Sequence, residues 1–159
     1  MAPSYTTSTS IFELALAKQH KISCKTTAYR SSSAKPFYDH KLSPKQKKGL
    51  QAEELAIEYL LLQGLQFISR NLSCRFGEID CIMADKSTLV FIEIKSRKNK
   101  QFGGAAGSIS AAKQRRLRAS AAFFLPLLSR QYFSGKTPLC RFDAVCITNG
   151  QIEWIRHAF

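Results

Sequence analysis

The stretch GEIDCIMADKSTLVFIEIKSR, residues 77–97, reads as two apolar runs around a short polar turn, and inside those runs stand Glu78, Asp80, Glu93 and Lys95. A charge taken out of water costs several kcal/mol, to order of magnitude, unless it is paired or bound to a metal. These charges therefore either face solvent or serve a purpose. Two carboxylates and one backbone carbonyl, here that of Ile94, make an all-oxygen donor set of the kind Mg²⁺ prefers, at about 2.0–2.1 Å in an octahedron. With an ammonium beside it, as Lys95 would supply, such a set suits phosphodiester hydrolysis. A divalent cation can polarise a phosphate and activate water, and a compact lysine charge can stabilise the negative transition state.

The elements that must position these groups can be read from the pattern. The run from Thr88 to Arg97 is a strand in which Leu89, Phe91, Glu93 and Lys95 share one face and Val90, Ile92 and Ile94 the other. The stretch FGEIDCIM is a preceding strand, with Glu78 and Asp80 on one face. A turn centred between Asp85 and Lys86 would set Asp80 opposite Phe91 and make Glu93 its diagonal neighbour, at about 7–8 Å between backbones. An E-x-K triplet on a strand commonly marks a solvent face or a cross-strand ion pair. Here both strand faces are otherwise apolar, which argues that the strands are central and the charges covered.

Around this hairpin, SPKQKKGLQAEELAIEYLLLQG reads as a helix with Ser43 as N-cap, Pro44 at the first position and Gly64 as the stop. LQFISRN is a first strand. After the Gly-rich FGGAAG, SISAAKQRRLRASAAFFLPLLSR is a long basic helix disturbed by Pro126. LCRFDAVCITN and QIEWIRHAF close the chain as a hairpin around a type I′ Asn149-Gly150 turn. The expected fold is α/β, in the order αβββαβ plus a final strand, with a mixed central sheet flanked by helices. Residues 1–42, Ser/Thr-rich and poor in acids, read as a disordered basic extension, and 43–159 as the folded domain. The extension's composition also resembles an organellar transit peptide, and a start assigned too far upstream is a third reading.

The chain has 24 Lys and Arg against 11 Asp and Glu, a net charge of +13. Such an excess attracts polyanions. No acid occurs between Glu93 and Asp143, an interval that holds eleven basic residues. A solvated face normally mixes signs, so this block favours a phosphate-tracking surface. Arg97, Lys98, Lys100, Lys113, Gln114, Arg115 and Arg116 are its candidate nucleic-acid contacts. Arg141 and Asp143 read as a structural ion pair. Five cysteines without a C-x-x-C argue against a disulfide framework or zinc site and for a reducing, cytoplasmic setting. His20, His40 and His157 are scattered, so histidine catalysis is not indicated. No apolar run is long enough for a membrane span.

Asp80 followed by Glu93-Ile94-Lys95 resembles the PD-(D/E)xK signature of restriction-endonuclease-like nucleases, and the element order is similar to their common core. More narrowly, residues 49–148 resemble the YraN family, small bacterial proteins related to Holliday-junction resolvases. The resemblance is carried by GLQAEELAIEYLLLQG, RNLSCRFGEIDCI, LVFIEIKSR, FGGAAGSISAAKQRRL and RFDAV. It implies a Mg²⁺- or Mn²⁺-dependent endonuclease acting on branched or structured DNA. Asp80, Glu93 and the Ile94 carbonyl would be metal ligands, Lys95 the catalytic lysine, and Glu53 the helix glutamate that reaches the site. Glu78 would be an extra ligand or would pair with Lys95 or Arg97. Resolvases of this kind pair as homodimers, an expectation by analogy only. Ala52 stands where the family usually has Gly, and Ser73 where Arg is frequent. The alternative function is a non-catalytic nucleic-acid-binding module of the same fold.

Overall fold

The computed structural model describes residues 43–97 and 109–159. The proposed extension 1–42 and the candidate contacts Lys98 and Lys100 lie outside the described residues. Two helices and five strands follow one another as α1 (Pro44–Leu62), β1 (Gln66–Cys74), β2 (Gly77–Asp85), β3 (Thr88–Arg97), α2 (Ala111–Tyr132), β4 (Leu139–Thr148) and β5 (Gln151–Ile155). The strands form one sheet in the order β1-β2-β3-β4-β5. Only the β3–β4 pair is parallel. A parallel neighbour demands a crossover, and α2 lies in that connection. This is the α/β, restriction-endonuclease-like core that the element order implied.

Each helix covers one face of the sheet. Ala52, Ala56, Ile57 and Leu60 of α1 pack on Cys81, Met83, Val90, Ile92, Val145 and Ile147. Leu117, Ala121, Phe124 and Leu128 of α2 pack on Ile79, Ile82, Leu89, Phe91 and Ala144 from the other side. Because β2 and β3 are buried on both faces, their sequence is nearly continuously apolar, and the few charges in it stand out.

Local chemistry sets the ends of the elements. Ser43 and Gln46 complete a capping box at α1, with Pro44 at the first helical position. Gly64, at φ +90°, ends the helix, and the Leu65 N–H reaches back to the Leu60 carbonyl. Asn149 and Gly150 both adopt positive φ, as the type I′ turn requires. Two expectations need correcting. The helix α2 continues six residues past Pro126, because a proline that forfeits one hydrogen bond is tolerated where the flanking Phe124 and Leu128 are held in the core. The β2–β3 turn is centred between Lys86 and Ser87, with Lys86 at φ +55°, so Asp85 pairs with Thr88 and Ile82, not Asp80, lies opposite Phe91.

Candidate metal centre and nucleic-acid interface

The two-residue change of register preserves the parity of the pairing and brings the carboxylates closer. Continuing one step past the last β2–β3 pair, Cys81–Ile92, sets Asp80 directly across from Glu93. Pairing stops there and the sheet forks. Residues 77–79 of β2 stay with β1, while 93–97 of β3 stay with β4. In the mouth of the fork the Ile94 N–H has lost its strand partner and donates instead to Asp80 Oδ2 at 2.8 Å. The Ile94 carbonyl points the same way as its N–H, as in any strand, and so opens into the same fork.

Asp80 reaches this place through a break in the pleat. Ile79 and Ile82 both enter the core beneath α2, whereas Cys81 enters the core beneath α1. Strict alternation therefore fails between residues 79 and 81. Across the strand, between the pairs Arg70–Cys81 and Leu72–Ile79, stands Asn71 at φ +52°. Asparagine tolerates this left-handed conformation better than most residues. Its side-chain amide donates to Glu53 Oε2 at 3.3 Å, tying α1 to the rim of the fork. Glu78 is exposed, and its charge acts on Glu53.

Glu93 is 6 % exposed. Lys113 Nζ of α2 lies 3.0 Å from its Oε2 and forms an ion pair with it. Burial first, then the charge of Asp80, push the Glu93 carboxyl above the ordinary carboxylate range, against the opposing pull of Lys113 and Lys95. Glu53 is raised too, chiefly by burial and secondarily by Asp80 and Glu78, with the Asn71 hydrogen bond and Arg70 acting in the other direction. Glu53, Asp80, Glu93 and Lys95 are therefore in one electrostatic neighbourhood.

Among the described residues no three His, Cys, Asp or Glu side chains stand close enough to hold a metal ion by themselves. A cation at the fork would draw on two carboxylates and the Ile94 carbonyl. Two adjacent carboxylates, one of them buried, together with a backbone carbonyl are an all-oxygen donor set that fits a hard divalent ion.

The basic helix divides its work. Lys113 belongs to the carboxylate centre as a counter-charge to Glu93. Gln114 is tied to the start of its own helix. Its amide donates to the Ile109 carbonyl at 3.0 Å, because the start of α2 leaves that acceptor within its reach. Arg115 and Arg116 are exposed, and Arg97 ends β3. Arg141 and Asp143 form the expected structural pair. Asp143 is fully buried and accepts from Arg141, Trp154 Nε1 and the His157 N–H, while Arg141 also meets Asp85 at 2.9 Å. One contributor, Asn71, is signalled in the sequence only by an asparagine inside a strand, whereas Lys113 is among the candidate phosphate contacts and here also pairs with Glu93.

Residues 52–147 match the model of the uncharacterised protein family UPF0102. A UPF0102 protein of Bordetella parapertussis is 45% identical over 117 residues, 74% of this chain and 66% of that protein, so the chain spans just under two thirds of it. One from Psychromonas ingrahamii is 45% identical over 120 residues, 74% of this chain and 93% of that protein. One from Nitrosomonas eutropha is 44% identical over 119 residues, 74% of this chain and 97% of its own length.

Proposed function

The chain belongs to the UPF0102 (YraN) family, and we propose that it is a divalent-cation-dependent endonuclease that hydrolyses phosphodiester bonds in branched or structured DNA. The observation carrying this reading is the fork at which Asp80, accepting from the Ile94 N–H, stands beside Glu93, a second carboxylate that is itself buried. Two carboxylates side by side repel each other, a cost that a shared cation would remove.

In this reading Asp80, Glu93 and the Ile94 carbonyl hold Mg²⁺ or Mn²⁺. When bound, such a cation polarises the phosphate and lowers the pKa of its water. The remaining work belongs to the chain. Lys95, one strand repeat beyond Glu93, orients the attacking water and stabilises the extra negative charge on the phosphate as the bond forms. Lys113 offsets part of the Glu93 charge and presents a second ammonium to the substrate. Glu53, oriented by Asn71 and with raised proton affinity, is suited to hold a water near Asp80. Arg115, Arg116 and the basic segment after β3 grip the flanking phosphates.

The test is cleavage of a four-way junction, a flap, a single strand and a duplex with Mg²⁺ or Mn²⁺, comparing wild type with Asp80→Asn and Lys95→Ala. Metal-dependent cleavage lost in both variants supports the reading. Tight binding with no cleavage of any substrate replaces it with the non-catalytic binding module.

A further inference from the structure

Beyond the fork, the β1–β2 hairpin carries Phe76 and α2 carries Phe123, both large apolar side chains left in water at 37% and 51% exposure. Their rings meet edge to face with centroids 6.2 Å apart. The Arg75 guanidinium lies 4.7 Å over the Phe76 ring, and Phe124, itself buried in the core, supports Phe123 from below at 5.1 Å. The pair is thus anchored, with a guanidinium over the Phe76 ring and about half of Phe123 left in water.

Its place relative to the carboxylates follows from helix periodicity. Lys113, Arg116, Ser120 and Phe123 recur at intervals of three and four and so form one stripe along α2. Lys113 touches Glu93. The hairpin backbone at Gly77 lies against Arg116 and Ser120, where a Cβ on Gly77 would come within 3.8 Å and 3.7 Å. Phe123 touches Phe76. The stripe therefore leads from the carboxylate centre to the aromatic pair, a run of about 15 Å at 1.5 Å per residue. That is roughly four nucleotide steps at 3.4 Å per step. The helix along the way carries four basic residues and no acid.

We infer that Phe76 and Phe123 form a stacking platform for an unpaired base a few nucleotides from the scissile phosphate, so that the site selects nucleic acid with a single-stranded segment there. The inference rests on the endonuclease reading and adds a subsite to it. Each base has a π-face, and exposed aromatics beside arginines are how proteins hold single strands without reading sequence. A protein partner is the poorer occupant. Two rings offer at most about 500 Å² of surface, against about 800 Å² per partner in a standard interface.

The test uses wild type, Phe76→Ala, Phe123→Ala, Phe123→Leu and Phe123→Tyr with EDTA present, so that nothing is cleaved. The probes are a duplex with a single-stranded overhang carrying 2-aminopurine and a blunt duplex. Wild type should bind the overhang more tightly and quench the 2-aminopurine. Each alanine variant should lose about 5- to 150-fold in overhang affinity, with blunt-duplex binding unchanged and melting temperature preserved. Phe123→Tyr should restore both affinity and quenching, and Phe123→Leu should not. Equal weakening on both probes, no weakening, or full rescue by leucine overturns the platform. A wild type that cleaves with metal while its alanine variants keep full overhang binding refutes the platform alone. A wild type that binds neither probe overturns the nucleic-acid reading with it.

Discussion

Removing the carboxylate of Asp143 should cost this domain a large part of its stability. Asp143 has no solvent exposure. It accepts from Arg141 Nε at 2.9 and 3.1 Å, from Arg141 Nη2 at 3.0 Å, from Trp154 Nε1 at 3.0 Å and from the His157 N–H at 3.1 Å. The cluster ties the start of β4 to β5 and, through Arg141 and Asp85, to the end of β2. Asp143→Ala strands a guanidinium, an indole N–H and a backbone N–H together. Breaking a buried pair in this way costs about 3–5 kcal/mol, against a total of about 5–15 kcal/mol for a domain. At about 3–5 °C per kcal/mol for a domain of this size the melting temperature should fall by about 10–25 °C. Urea and thermal melts of Asp143→Ala, Arg141→Met and the double variant would measure it. The double variant should cost less than the sum of the singles by about 1–3 kcal/mol, since each single leaves the other charge exposed to the same loss. An Asp143→Ala melt within about 2 °C of wild type, or strict additivity, would refute a structural role and return Arg141 to the candidate substrate contacts.

Three further outcomes follow from the carboxylate centre and the basic helix. Glu93 has its pKa raised above 4.5, so the native state binds more protons than the unfolded one between 4.5 and the raised value. The metal-free protein should therefore gain stability as pH falls through that window, and Glu93→Gln should flatten this part of the melting-temperature profile; an unchanged profile contradicts the assignment. Lys113→Gln removes an ammonium that competes for Glu93. Taking a partly exposed pair as worth about 1 kcal/mol, Mn²⁺ should bind about fivefold more tightly in calorimetry while cleavage slows; weaker Mn²⁺ binding counts against it. With about six phosphates contacted, log K against log salt should slope near −5, and Arg116→Ala should reduce its magnitude by about 1, with no change in slope as the contrary result.

The fold was legible where a single physical preference ruled. The capping box at Ser43, the Asn149-Gly150 turn and the two-sided apolar runs of β2 and β3 each admit few alternatives, and all appear in the structure. The register of the β2–β3 hairpin was not legible, because ADKST permits more than one two-residue turn. The positive φ of Lys86 is a conformation that lysine does not advertise. Parity protected the functional inference from this error, since a shift of two residues returns every side chain to its own face. The left-handed Asn71 and the slipped pleat between Ile79 and Cys81 were hidden, because alternation is only a local rule and the twist that breaks it comes from packing between the two helices. The pairing of Lys113 with Glu93 joins residues twenty apart through the crossover connection, which no local pattern reports.

The central claim is that Asp80 and Glu93 share one divalent ion at the fork of β2 and β3. Mn²⁺ titrated into the protein and followed by electron paramagnetic resonance tests it without any substrate. One tight Mn²⁺ per chain, lost alike in Asp80→Asn and Glu93→Gln variants that remain folded, is the predicted result. Undiminished Mn²⁺ binding in both variants, or no binding by wild type, would contradict it.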